Sequence, residues 1–175
     1  MIDFLDLKRI NAAHEPALRA AIDRVLASGW YIQGAEGEAF EAEFAAYCGA
    51  RHAIGVANGL DALHLVLRAW QVGAGDEVIV PAHTFIATWL AVTQAGATPV
   101  PVEPGATGNL DVDRLEAAIT PRTKAIVAVH LYGQPADMSA VMSVADRHGL
   151  KVLEDAAQAH GARWQCRRTG ALGHA

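Results

Sequence analysis

Asp155 follows an apolar run at 151–154. A carboxylate in that low-dielectric setting calls for a cationic partner. A protonated pyridine nitrogen would serve; an N-cap or a structural ion pair is the plainer use. Gln158 stands one turn later. Three other polar sets also close short apolar runs: Asn58-Gly59-Leu60-Asp61, Pro81-Ala-His83-Thr84-Phe85 and His130-Leu-Tyr132-Gly133. Asn58-Gly59 entering a helix offers free backbone N–H groups at a helix N-terminus, which attract phosphate. It is also an ordinary Asn-Gly turn. It is not the dinucleotide fingerprint, because Gly55-Val-Ala-Asn-Gly59 does not fit G-x-G-x-x-G. Phe85 could stack on a flat ring or simply pack in a core. His130 and His160 lack metal-ligand spacing.

The elements that must position these residues are legible from periodicity. Apolar runs at 52–57, 77–80, 98–102, 125–130 and 151–154 read as strands, with helical patterns at 59–70, 84–94, 111–119 and 137–148 between them. Such alternation implies an α/β fold, a mostly parallel sheet with helices on both faces. The strands are apolar throughout, as a doubly covered sheet requires. Pro99 and Pro101 confine the third run to an edge, or to an extended segment outside the sheet. In an open α/β sheet, ligands bind outside the carboxyl ends of the strands. All four polar sets are expected there, forming one site. Ahead of this portion (51–175) lies a helical arm (1–50). It holds an amphipathic helix at 15–28, with Leu18, Ile22, Val25 and Leu26 on one face, and a second at 36–48, with Phe40, Phe44 and Tyr47 inward. The loop between them, Gly29-Trp-Tyr-Ile-Gln-Gly34, reads as ordered. The basic run 163–168 reads as an exposed turn or strand rim, after which no further element is expected.

Composition narrows the class. Of 175 residues, 52% are apolar and 19% charged, as in a globular chain rather than a disordered one. The net charge of −5, with scattered Lys and Arg, argues against a nucleic-acid surface. No apolar stretch is long enough to span a bilayer, and the start lacks a signal-peptide pattern. Cys48 and Cys166 form no paired metal or disulfide pattern. Both point to ordinary thiols in a reducing cytoplasm.

Five blocks, in order, resemble the DegT/DnrJ/StrS family of pyridoxal-phosphate-dependent sugar-nucleotide aminotransferases. They are Ser28-Gly-Trp-Tyr-Ile-Gln-Gly34, Val56-Ala-Asn-Gly-Leu-Asp-Ala62, Pro81-Ala-His-Thr-Phe-Ile-Ala-Thr88, Val129-His-Leu-Tyr-Gly-Gln-Pro135 and Glu154-Asp-Ala-Ala-Gln-Ala-His-Gly161. The resemblance implies the N-terminal part of the large domain of a type I aminotransferase fold, with pyridoxal 5′-phosphate as cofactor. It implies that the backbone at Gly59, Leu60 and Asp61, with Asn58, holds the cofactor phosphate. Phe85 would lie over the pyridine, Asp155 would keep its nitrogen protonated, and Gln158 would approach its ring hydroxyl. Trp30, Tyr31 and Gln33 would border the sugar site, near the boundary of a homodimer. The implied reaction moves an amine from a donor such as glutamate to a nucleotide-linked keto-deoxysugar. The wording of the 58–62 and 84–92 blocks resembles the branch acting at C3 of dTDP-3-keto-6-deoxyhexoses.

That chemistry needs a Schiff-base lysine, which in the family follows the Asp155 block. Lys124 and Lys151 begin strands, four or five residues and roughly 15 Å from the site; Lys8 lies in the arm. The sequence therefore reads as an N-terminal fragment without transaminase activity of its own and with exposed apolar faces. Other readings are a sugar dehydratase of the same family, with histidine in place of the lysine, and a non-catalytic remnant or partner-binding fragment. A nicotinamide dehydrogenase is disfavoured by the missing glycines.

Overall fold

A computed structural model describes residues 4–175. The chain forms two compact units, 4–44 and Ala45–Ala175. The first holds α1 (Leu7–Ala12), α2 (Glu15–Ser28) and most of α3 (Ala35–Cys48). Pro16 suits the first turn of α2, and Gly29 ends the helix in the left-handed conformation at φ 67°. The apolar face of α2 lies exposed at Leu18, Ile22 and Leu26. Two residues expected inward on α3 are not: Phe40 is 59% exposed, and Tyr47 is exposed as well. Phe40 instead stacks on Phe44, with ring centroids 5.3 Å apart. Residues four apart on a helix meet in this way without a core beneath them.

The second unit is α/β. It comprises α4 (Gly59–Ala69), β1 (Glu77–Pro81), α5 (Ile86–Gln94), β2 (Thr98–Val102), α6 (Val112–Leu115), β3 (Thr123–Val129), α7 (Met138–His148) and β4 (Lys151–Asp155). The sheet order is β2-β1-β3-β4, all parallel. Both faces are covered. Val78, Val80, Val127 and Leu153 pack against Leu63 and Leu67 of α4 and Ala91 and Val92 of α5. Ile79, Ile126, Ala128 and Val152 pack against Leu115 and against Met138, Val141 and Ala145 of α7. As expected, β2 with its two prolines is an edge strand; there, a missing N–H on the solvent side costs no ladder bond.

Two expectations need correction. The run 52–57 is not a strand; Ile54 within it is 80% exposed. A strand exists only beside a partner, and the sheet edge at β4 is taken by the chain's own end. Glu154 N–H donates to Ala175 O at 2.8 Å, and His174 N–H to Val152 O at 2.9 Å. Second, the pattern at 111–119 yields only α6 and a 3₁₀ turn, Glu116–Ala118. The run 163–168 is, as expected, an exposed turn flanked by short strands. Arg163–Trp164 (β5) and Arg167–Arg168 (β6) form an antiparallel hairpin, turned by Gln165 and Cys166 at positive φ. Arg168 anchors it, with its guanidinium 3.8 Å above the Tyr47 ring and a hydrogen bond to Tyr47 O. Gly161, at φ +82°, is required nearby, since a Cβ there would sit 2.5 Å from the Tyr47 hydroxyl.

Candidate functional site

Parallel pairing fixes where the strand ends meet. Val129 is opposite Asp155 and Ala128 opposite Glu154, so the segments after β1, β3 and β4 leave from one edge. Asp155 ends β4, half-buried. Its Oδ2 accepts from Thr88 Oγ1 at 2.8 Å, and its Oδ1 from Ala157 N–H at 3.3 Å. Its backbone oxygen accepts from His130 N–H at 3.0 Å. Beyond β3, Tyr132 adopts φ 55°, ψ 23°. This left-handed conformation is uncommon for a bulky residue, and it turns the Tyr132 N–H to Gln158 Oε1 at 2.9 Å. With its oxygen engaged, the Gln158 amide keeps its NH₂ for another acceptor. The exposed Tyr132 ring lies 6.1 Å from that of His83. Asp155, Gln158, Tyr132 and His83 thus gather where β1, β3 and β4 end.

Asn58 caps α4: its Oδ1 accepts from Asp61 N–H at 2.9 Å, and its Nδ2 donates to Asp61 Oδ2 at 3.0 Å. The helix runs eleven residues from Gly59, so its N-terminus carries the positive end of a full dipole. Space around Gly59 is open, with no heavy atom within 4 Å of where a Cβ would stand. Leu60 packs on the core shared with Leu153. Phe85 precedes α5 in extended conformation and is 68% exposed, so it is not a core residue. Trp30, Tyr31 and Gln33 belong to the first unit, where they line a cavity of about 520 Å³ with Arg24, Glu36 and Glu38. That loop is ordered by its own hydrogen bonds, Trp30 N–H to Ser28 Oγ and Trp30 Nε1 to Ile32 O.

Sequence reading missed the most buried polar cluster, on the sheet's other face. Glu154 accepts from His130 Nε2 at 2.9 Å and from the N–H groups of Gly170, Leu172 and Gly173 at 2.9, 2.6 and 2.6 Å. His130 Nδ1 accepts from Ala136 N–H at 3.0 Å, which puts the ring proton on Nε2. Burial pushes the Glu154 carboxyl up, but the bonds from His130 and the three N–H groups outweigh it and hold the carboxyl below its usual range. A signal was available. Strand alternation puts His130 and Glu154 on one face, and a glutamate amid apolar strand residues demands donors.

The donor set fits pyridoxal phosphate: a half-buried carboxylate with acceptor capacity left, an amide with its NH₂ available, an exposed ring, and an open helix N-terminus behind a glycine. Among the described residues, no cluster of His, Cys, Asp or Glu could hold a metal ion. No described helix is long and apolar enough to cross a membrane.

Fold and site together define the class: the N-terminal part of a type I aminotransferase fold. The family follows from comparison, since residues 13–175 match the DegT/DnrJ/EryC1/StrS aminotransferase family, and the chain belongs to it. It is 55% identical to dTDP-3-amino-3,6-dideoxy-alpha-D-galactopyranose transaminase of Aneurinibacillus thermoaerophilus, across 100% of this chain and 48% of that protein. It is 60% identical to dTDP-3-amino-3,4,6-trideoxy-alpha-D-glucose transaminase of Streptomyces venezuelae, across 97% and 45%. The crystal structure of DesV from S. venezuelae superposes with a TM-score of 0.95 at 60% identity, covering 97% of this chain and 46% of that one. An aminotransferase of this family from Brucella abortus also gives 0.95, at 40% identity, covering 99% and 49%. The chain spans about half the length of the curated relatives it matches.

Proposed function

We propose that this chain carries the cofactor-binding half of a pyridoxal-phosphate-dependent aminotransferase acting on a dTDP-linked 3-keto-6-deoxyhexose. The observation that carries the reading is Asp155, half-buried at the C-terminal end of β4, with one bond on each oxygen, the shorter on Oδ2. When bound, pyridoxal phosphate supplies an electron sink for charge left on the substrate carbon as its proton departs. Asp155 would accept the ring N–H and hold that proton in place. The Gln158 NH₂ would donate to the ring oxygen. The N–H groups of Gly59 and Leu60, at the start of α4, would bind the phosphate; the Asp61 N–H expected to join them is instead taken by the Asn58 cap. Phe85 would cover one ring face and exclude water there. Trp30, Tyr31 and Gln33 would border the sugar. The C3 assignment is supported by the 3-amino sugars in the names of the relatives from A. thermoaerophilus and S. venezuelae. Glutamate is the proposed amino donor and a homodimer the proposed assembly.

The chain's lysines do not serve this site. Lys124 and Lys151 lie near the N-terminal ends of β3 and β4, with Lys151 four residues and roughly 13 Å from Asp155. Lys8 lies in α1. Amino transfer therefore depends on a lysine outside these 175 residues, and the isolated chain should bind cofactor without turning over. The test is titration of the chain with pyridoxamine 5′-phosphate, which needs no lysine. Asp155→Ala should weaken binding at least about tenfold, the worth of a hydrogen bond between charged groups, while circular dichroism stays unchanged. Equal affinity in wild type and variant would refute the reading.

A further inference from the structure

Asp155 is gripped from α5 by a residue the family blocks leave without a role. Thr88 is fully buried in the first turn of α5, beside Ala91 and Val92, and donates to Asp155 Oδ2 at 2.8 Å. The Thr84 and Thr88 hydroxyl oxygens lie 2.9 Å apart. A hydroxyl carries one proton, and an ionised carboxylate can only accept. Since the Thr88 proton is committed to Asp155, the proton between the two hydroxyls comes from Thr84. The row therefore runs one way, from Thr84 to Thr88 to Asp155. Had Thr88 served packing alone, valine would fill the same space without a polar atom to satisfy.

We infer that Thr88, backed by Thr84, is a positioning residue that fixes which oxygen of Asp155 meets the ring nitrogen of the cofactor. This rests on the cofactor reading above. Each oxygen accepts one bond, Oδ2 a short one at 2.8 Å from the buried Thr88 hydroxyl and Oδ1 a long one at 3.3 Å from Ala157, which makes Oδ1 the less engaged oxygen and the one presented to a ring N–H. An oxygen held in line with the ring N–H keeps that hydrogen bond formed, and with it the proton on the pyridine. Chains of hydroxyls polarised in one direction strengthen each other, which gives Thr84 its part.

The test uses the 175-residue chain and pyridoxamine 5′-phosphate labelled with ¹⁵N in its ring. In wild type the bound ring nitrogen should resonate as a pyridinium. Thr88→Val should weaken binding by about tenfold and move the resonance toward neutral pyridine, and Thr88→Ser should restore both. Thr84→Val should shift both in the same direction by less, about threefold in affinity, and it decides the matter if Thr88→Val fails to fold. Wild-type affinity and resonance in a folded Thr88→Val, or in Thr84→Val where the former is unfolded, would overturn the inference while leaving the cofactor reading intact. Failure of the wild-type chain to bind would overturn both.

Discussion

Glu154 and Asp155 are consecutive carboxylates at the end of one strand, and alternation sends them to opposite faces of the sheet. On the α7 face, Glu154 is buried, and three of its four donors tie the 170–173 segment to β4, the fourth being His130. On the α5 face, Asp155 is half-buried and keeps acceptor capacity on Oδ1. The first arrangement engages about four acceptor sites in the fold; the second leaves about two in reserve. The lesson is that saturation, more than burial, distinguishes the two carboxylates, and only the unsaturated one has capacity for a further donor.

The largest effect should come from breaking the saturated side. Glu154→Ala leaves His130 and three N–H groups without their acceptor, and should cost about 3 kcal/mol or more. Urea denaturation measures it; a loss below about 1 kcal/mol would erase the contrast. Gly173→Ala comes next. Its Cβ would meet Val152 O at 3.0 Å and Glu154 Cγ at 3.3 Å, so a loss of about 1–2 kcal/mol is expected from overpacking, read as a lower melting temperature.

Acid should sharpen the comparison further. The Glu154 carboxyl sits below its ordinary value of 4.5 in the folded chain. Its stabilising contribution is therefore complete above that value and lost as pH falls through the lower, folded one. Wild type and Glu154→Gln should differ most near neutrality and converge as pH falls from 4.5 through the lower, folded value; a gap that widens on acidification would contradict the assignment. The smallest effect on stability belongs to Asp155→Asn, within about 0.5 kcal/mol, because the amide oxygen still accepts from Thr88. Its deficit should appear in pyridoxamine phosphate affinity instead. A large stability loss with unchanged affinity would invert the comparison.

Much of this was legible in the chain. The run 77–80 and the helical patterns at 59–70 and 137–148 match β1, α4 and α7 closely, because a fully buried strand and a one-sided helix write distinct periods. Pro99 and Pro101 marked the edge strand through their missing N–H groups. The run 52–57 misled, because its apolar composition satisfies a strand template while pairing depends on a neighbour. Phe40 misled likewise, since an aromatic at helical spacing does not reveal whether anything packs against it. Thr88 was invisible for another reason: a threonine inside a helix looks like filler until its partner, 67 residues away, arrives.

The sequence by itself determined the alternation of elements, the family and the residue types gathered at the strand ends, because these follow from local periodicity and from short ordered blocks. The tertiary structure alone decided which carboxylate is closed and which is open. That outcome depends on β3 lying beside β4, on α5 bringing Thr88 under Asp155, and on the 170–173 backbone folding back onto Glu154. Hydrogen bonds between residues so distant in sequence form only once packing has brought their partners within reach.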